Sequence, residues 1–359
     1  MIHKRADLNS RALKSSWLTS MGLFSAMVLA ACGSSTSSAS AISATSTSTS
    51  TTVPVSITFA KAVNTEPFAT IDVAQQLGYL KDAGLDVKIE TVAGSSVANA
   101  ALQSGSVQFV FASSTALLLA AAKKIPLLAV AGINKGESIQ LVVSNAWIKA
   151  HNLSVSEPLA TRIKGLEGTT DATISTSDKS IMADFEAQAG VPVSTIHEVS
   201  ISSVSAQLAA IQHNLAQEFL ASPPNSSIAV AGGFGSVLAN SKELPYLSDE
   251  TDGILITTPS YAKSHPAVVK ALVGALQKAL TQMSEKTPAA ISALQTLYPK
   301  LSAAVIQSSL DSIAFTPTMQ QTQVGWTDAL KFAQKTGQVK PGEQIDVTEG
   351  SLWTNQFTG

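Results

Sequence analysis

Cysteine is nearly absent: Cys32 is the only one in 359 residues. No intrachain disulfide can form, and that does not argue against export. Arginine is almost as scarce. Arg5 and Arg11 sit near the N-terminus, and Arg162 is the only one after them. Charged residues make up 13% of the chain, and no basic block follows residue 31, which argues against nucleic acid as a partner. No apolar run after residue 31 approaches the roughly 20 residues a bilayer span needs. Catalytic signatures are missing as well. His151, His197, His213 and His265 are scattered without metal-ligand spacing and read as surface or capping residues. Gly232-Gly233-Phe234-Gly235 lacks the Gly-Lys-Ser/Thr of a phosphate-binding loop and reads as a turn or a close helix contact. No nucleophile–base arrangement can be placed. The sequence therefore predicts no enzyme, no metal and no cofactor.

What is present begins at the N-terminus. Lys4, Arg5, Arg11 and Lys14 flank the start of an apolar run from about Trp17 to Ala31, which Ser and Gly interrupt. A basic segment, a short apolar segment and small residues before a cut describe an export signal peptide, residues 1–31. The run closes on Leu29-Ala30-Ala31-Cys32-Gly33, which looks like a lipobox, so that Cys32 would carry a diacylglyceryl anchor. The competing reading is an ordinary secretory signal with an accidental cysteine. Residues 33–52 are almost only Ser, Thr and Ala. Such a stretch cannot bury a core and is read as a flexible tether, with O-glycosylation as an alternative use. Removing the signal takes away four basic residues and one acidic one and moves the net charge from −2 to −5.

The remaining chain, about 305 residues, is long enough for two lobes. Val55–Phe59 alternates as a strand, Ile71–Tyr79 has helical spacing, and Leu85–Ile89 alternates again. Val97–Leu102 is helical, Val107–Phe111 an apolar strand, Ala116–Ala122 a helix and Leu127–Ile133 a buried strand. The pattern restarts with strands at 138–143, 170–174, 196–201 and 219–221 and helices at 180–189 and 204–212. After residue 257 helices dominate: 265–283, 288–297, 303–313 and 319–336, followed by a tail containing Trp353. Short loops between alternating strands and helices argue for mainly parallel sheets flanked by helices. Ala101–Phe109 and Ala210–Glu218 repeat one order of helix end, turn residue and strand. The expected layout is lobe 1 from 53–140 and 256–359, and lobe 2 from 141–255.

The order of motifs resembles the nitrate/sulfonate/taurine group of extracytoplasmic solute-binding proteins, which includes binders of thiamine-pyrimidine precursors. Ala74–Val87 is similar to the group's A-x-x-x-G-[FY]-[FL]-x-x-x-G-L-D-V stretch. Ala101-Leu102-Gln103-Ser104-Gly105 matches its A-L-x-x-G turn, Leu166-Glu167-Gly168 its L-x-G, and Leu352–Phe357 its C-terminal tail. Two departures stand out: Gln108 and Gln217 occupy positions where the group usually has Asp, and Asn214 replaces the second-lobe Gly. The resemblance implies an α/β, two-lobed (type II) periplasmic binding protein-like fold with a helical C-terminal part. It further implies a monomeric lipoprotein outside the cell membrane that captures a small polar or anionic solute for an ABC permease and ATPase. Alternatives on the same fold are a surface sensor or adhesin, or an enzyme like the thiamine-pyrimidine synthases. The last needs a cysteine-rich motif, and no cysteine follows Cys32.

The resemblance implies a cleft between the lobes, and the hydroxyl-rich turns would stand at its walls. Gly94-Ser95-Ser96, Ser113-Ser114-Thr115, Thr176-Ser177-Asp178 and Ser202-Ser203 each precede a helix and follow a strand. Free N–H groups and the helix dipole favour anions there, although the same residues serve as plain N-caps in any protein. Because the turns recur at strand C-terminal ends, where open α/β sheets bind ligands, Ser95, Ser113, Ser114, Thr115, Thr176, Ser177 and Ser202 are candidate ligand contacts. The resemblance adds Thr65, Glu66 and Phe68 at the cleft mouth and Ser222 after the last lobe-two strand. Phe68 would stack on a planar ligand or else be a core residue at a helix start. The resemblance puts Arg162 in a segment away from the cleft, which would leave bidentate arginine recognition of an anion missing and favours a neutral polar ligand.

Overall fold

The computed structural model describes residues 54–61, 64–92, 94–174, 176–192, 195–201 and 203–359. The expected signal peptide and tether, Cys32 and Ser202 lie outside the described residues. The chain first lays down β1 (Val55–Lys61), α1 (Thr70–Gln76), α2 (Tyr79–Asp82), β2 (Leu85–Thr91), α3 (Ser95–Ser104), β3 (Phe109–Ser113), α4 (Ser114–Ala122) and β4 (Leu128–Gly132). It then builds β5 (Gln140–Ser144), α5 (Asn145–Ala150), α6 (Leu159–Lys164), β6 (Thr170–Thr173), α7 (Thr176–Ala189), β7 (His197–Ser200), α8 (Val204–Gln212), β8 (Glu218–Ala221), α9 (Asn225–Ala231) and β9 (Gly235–Asn240). It returns through β10 (Gly253–Thr257) and ends in α10 (Pro259–Ser264), α11 (Pro266–Ser284), α12 (Pro288–Leu297), α13 (Ala303–Asp311) and α14 (Gln323–Lys335).

Two five-stranded sheets result, ordered β2-β1-β3-β10-β4 and β7-β6-β8-β5-β9. Their topology is the same: in each, the strand second from one edge belongs to a segment that has just crossed from the other lobe. The sheets are mixed rather than mainly parallel. β1 pairs parallel with β2 and β3, but β10 runs antiparallel to β3 and β4. In the second sheet β6 is parallel to β7 and β8, and β5 is antiparallel to β8 and β9. The geometry of crossing explains this. β10 enters with Gly253 opposite Ser113, the last residue of β3. β5 enters with Gln140 opposite Ala221, the last residue of β8. A strand arriving from the other lobe starts where its neighbours end, so it must run against them. The boundary expected between residues 255 and 256 falls inside β10, which pairs wholly within the first sheet.

Local sequence sets the element ends. The hydroxyls of Ser113, Ser144, Ser203, Thr258, Thr287, Ser302 and Thr322 each accept from a backbone N–H in the first turn of the helix that follows. The internal repeat is real at the level of backbone. Gly105 and Asn214 both take positive φ, +75° and +56°, a conformation that costs Gly nothing and Asn little. The glutamines that replace Asp perform one job twice. Gln108 Oε1 accepts from Thr58 N at 2.8 Å, and Gln217 Oε1 accepts from Thr170 N at 2.9 Å. Each ties the turn before a central strand to its neighbour. The glycine-rich stretch is a turn, with Gly233 at φ +71°, but it opens a strand. A Cβ on Gly235 would lie 2.8 Å from Val142 Cγ1, so the close approach of β9 to β5 requires glycine there. Neither α9 nor β9 is legible as an amphipathic period in the sequence, because both are short and rich in small residues.

The C-terminal helices cover the first lobe, as their apolar stripes require. α14 does more. Its Trp326, Ala329 and Ala333 pack in the first lobe, while Phe332 is buried in the core of the second beside Leu141, Phe185 and Leu247. Lys335 forms an ion pair with Asp184 of α7 and lies 4.9 Å from the Tyr246 ring centre. The tail returns to β4 through an Ala129–Trp353 bridge, with Trp353 stacked parallel to Trp326.

Candidate functional site

The C-terminal ends of β1, β3, β6 and β8 and the two interlobe crossings, 133–139 and 241–252, converge between the sheets. The crossings are strapped together. Asn134 donates to Asp252 Oδ2 at 2.9 Å, Gly136 N donates to Glu250 O at 2.6 Å, and Lys135 pairs with Asp249 at 2.8 Å. Across the gap, Glu66 N donates to Pro223 O at 3.3 Å, so the loop after β1 touches the loop after β8.

The expected contacts divide into groups. Thr65, Glu66 and Ser222 sit in these two touching loops. Phe68 is 6% exposed and stacks on Phe111 with ring centres 5.6 Å apart, so it is a core residue with little surface to offer a ligand. Ser113 caps α4 and shares a 2.9 Å hydrogen bond with Thr115. Ser114 is buried and donates to Glu250 Oε1 at 3.3 Å. The start of α4 therefore already faces a carboxyl group from the second crossing. Ser95 and Thr176 open α3 and α7, and Ser177 accepts from Gln338 Nε2 at 3.0 Å, a contact between lobes. The structure does not bring all the hydroxyl turns to one point.

Carboxyl groups dominate the electrostatics, and sequence reading missed this. Burial, then the nearby charges of Asp252 and Asp178, pushes Glu137 well above the usual carboxylate range. Glu250 is raised in the same way, first by burial and then by Glu137 and Asp252. Burial raises Asp252, against the hydrogen bond from Asn134. Glu66 is fully buried and pushed up to about 7 by burial, although Ser309 Oγ donates to its Oε1 at 2.6 Å. The lysine at the end of β1, Lys61, is held by Asp72 at 2.6 Å. Spacing gave no hint of these acids because they are scattered along the chain and only folding collects them.

An interlobe cavity of about 260 Å³ lies between α13 and the second lobe. α13 of the first lobe supplies Ala304, Val305, Ser308 and Ser309, with Ser312 just beyond its end. The second lobe supplies Gln140 and Val237 from β5 and β9, and Ser227, Val230 and Ala231 from α9. A small apolar cleft with a few hydroxyls and an amide is the usual make-up of a small-molecule site. Among the described residues, no group of three or more His, Cys, Asp or Glu side chains is placed to hold a metal ion. No helix among them is long and apolar enough to cross a membrane.

A family model described as NMT1/THI5-like matches residues 65–290, well over half of the chain. The chain belongs to the NMT1/THI5-like family. Its fold is shared with solved structures of low sequence identity. The periplasmic aliphatic sulphonate binding protein SsuA from Escherichia coli is 17% identical, with TM-score 0.65, over 85% of this chain and 100% of that one. The alkanesulfonate-binding protein SsuA from Xanthomonas axonopodis pv. citri, bound to MOPS, is 19% identical with TM-score 0.57, over 79% and 91%. The periplasmic nitrate-binding protein NrtA from Synechocystis PCC 6803 is 15% identical with TM-score 0.55, over 71% and 70%. Comparison with curated proteins by sequence gives no match. This NMT1/THI5-like chain thus carries the periplasmic binding protein fold, with mixed sheets and acids at its crossings.

Proposed function

We propose that this chain is the extracytoplasmic solute-binding component of an ABC importer, capturing a small polar organic solute between its lobes. The observation that carries the reading is the construction: two sheets of identical strand order joined by two crossings, with a cavity lined from both lobes. Such lobes close by hinge bending at the crossings. The family and the sulfonate- and nitrate-binding neighbours support the same reading. Contacts are proposed from Thr65, Glu66 and Ser222 at the touching loops and from Ser113, Thr115 and Ser177 at helix starts, with Ser95, Thr176 and Ser202 at the remaining turns. Titration calorimetry and thermal-shift screening with sulfonates, taurine, nitrate and pyrimidines test it. Binding by at least one class, with a raised melting temperature, is expected; no binding across a broad solute library overturns the reading.

The membrane partner enters through Cys32. A diacylglyceryl group supplies the two chains needed for stable anchoring, where one would bind only marginally. The tether would then keep the binder at high local concentration near its permease. Cys32→Ser is expected to move the protein from the membrane fraction to the soluble fraction of the exported pool while leaving solute affinity unchanged. Retention of the variant in membranes would show that Cys32 is no anchor.

A further inference from the structure

We propose that the outer end of the first lobe, around Lys123, Lys124, Lys263 and Lys270, is a docking surface for the phosphate groups of anionic membrane lipids. The inference goes beyond solute capture and rests on the anchor reading of Cys32 for the choice of partner. Strand register brings the four lysines to one end of the sheet. Thr257, the last residue of β10, pairs with Leu128, the first of β4. Its Oγ1 donates to Gln108 O at 2.8 Å, and Gln108 in turn accepts from Thr58 N. Lys123 and Lys124 follow α4 and lead into Leu128, while α10 and α11 follow Thr257 and carry Lys263 and Lys270. A hollow of about 580 Å³ joins the two segments: Leu128, Lys263 and Lys270 line it together with Ala262, Gln356 and Phe357.

Charge at this end is one-sided. All four lysines are exposed, and none forms an ion pair among the described residues. The segments that build this end hold no acid: neither 91–136 nor 253–284 contains Asp or Glu, and none follows Glu349. The tail acids are engaged within their own loop, Asp346 accepting from Thr348 and Glu349 from Asn355 N. Toward β2 the cation is outnumbered, since Lys81 has Asp82 and Asp86 for neighbours. The chain without its signal is net negative, so the basic end is a local arrangement and not a reflection of composition.

The partner follows from where the chain enters the fold. β1 starts at Val55, at this same end of the sheet. Residues 33–53 link that point to Cys32 and span at most about 75 Å. A lipid on Cys32 therefore holds the protein by the end that carries the lysines. Anionic headgroups attract basic residues within about a Debye length, ~10 Å at 0.1 M salt, and the acid-free segments leave that attraction uncancelled. The hydroxyl turn at Ser113 lies at the opposite end of β3, so docking leaves the cleft open to solute.

Cosedimentation of the mature chain carrying Cys32→Ser with vesicles tests the surface. It is expected to bind vesicles containing phosphatidylglycerol, not phosphatidylcholine alone, and to be released by salt. Each of Lys123→Gln, Lys124→Gln, Lys263→Gln and Lys270→Gln is expected to weaken binding about fivefold, and the four together to abolish it. Melting temperature and solute affinity stay unchanged, since the four side chains are exposed and unpaired. Lys149→Gln with Lys164→Gln, exposed on the second lobe, is expected to have no effect. Absence of binding to phosphatidylglycerol vesicles, equal loss in the second-lobe pair, or full binding by the fourfold variant overturns the docking surface. So does a raised melting temperature in inorganic phosphate over chloride of equal ionic strength that the fourfold variant loses, which would mark a site for a free anion. Membranes washed at high salt keep only chains held through Cys32, so the anchor reading is judged separately, and solute binding stands or falls on its own titration.

Discussion

Replacing Arg162 by alanine is expected to destabilise the second lobe by about 3–5 kcal/mol, a fall in melting temperature on the order of 10 °C. The side chain is 7% exposed and sits where α6 meets β9. Its Nε donates to Glu157 O at 2.9 Å, and Nη1 donates to Leu238 O at 2.5 Å. Nη1 and Nη2 together grip Glu243. Burial pushes the Glu243 carboxyl up, yet the Arg162 hydrogen bond, the Asn240 N–H and the Arg162 charge hold it below its usual range. Deleting the guanidinium leaves two carbonyls without this donor and the exposed Glu243 carboxylate with only the Asn240 N–H. Lysine cannot reproduce the planar fork, so Arg162→Lys recovers only part of the loss. Solute affinity, measured well below the melting point, is expected to stay unchanged because the residue is fully engaged in holding the lobe together. Chemical denaturation checks the first claim and calorimetry the second. A loss under about 1 kcal/mol would mean the network behaves like a surface ion pair.

Raising the pH from about 5 to about 8 is expected to lower the stability of the folded chain, the reverse of a protein stabilised by ionised carboxylates. Asp171 and Glu218 stand opposite each other on β6 and β8, both fully buried. Burial, then the Asp178 and Glu198 charges, raises Asp171 from 3.8 to about 7 against the weaker pull of Lys179. Burial and the Asp171 charge push Glu218 well above its ordinary range, against a hydrogen bond from Thr169. The sign follows from proton counts. Between about pH 4 and 7 the folded chain holds protons on these groups that the unfolded chain has released. Stability is thus highest at the acid end and is lost progressively until the folded groups ionise. A rise of three units at one such group corresponds to roughly 4 kcal/mol. Glu66 and the acids of the crossings act in the same direction. Glu218→Gln is expected to flatten the profile, with its largest gain over the parent near pH 8. A melting temperature that rises across this range would show these acids to be ionised and compensated in the folded state.

Much of the fold was legible because strands and helices carry their own period. The repeat of helix end, positive-φ residue and strand at Gly105 and Asn214 was readable as duplication, since only a few residue types tolerate that conformation. The hydroxyl turns before α4 and α8 were readable as caps for the same local reason, whereas the Thr322 cap fell inside the helix expected over 319–336. Phe68 was not decidable: an aromatic after a strand fits a ligand platform and a core position equally, and only the Phe111 ring beneath it settles the matter.

The sequence by itself determined the class of this protein: alternating elements, a repeated order of helix end, turn and strand, and scarce arginine are all local or compositional facts. The tertiary structure alone decided the direction of β5 and β10, because antiparallel pairing follows from which end of a sheet a crossing strand enters. It also decided that α14 serves both lobes through Phe332 and Lys335. Above all it decided the electrostatics. Glu66, Glu137, Glu250 and Asp252 are ordinary acids along the chain; folding draws them out of water beside one interlobe gap, and burial there gives them their unusual proton affinity.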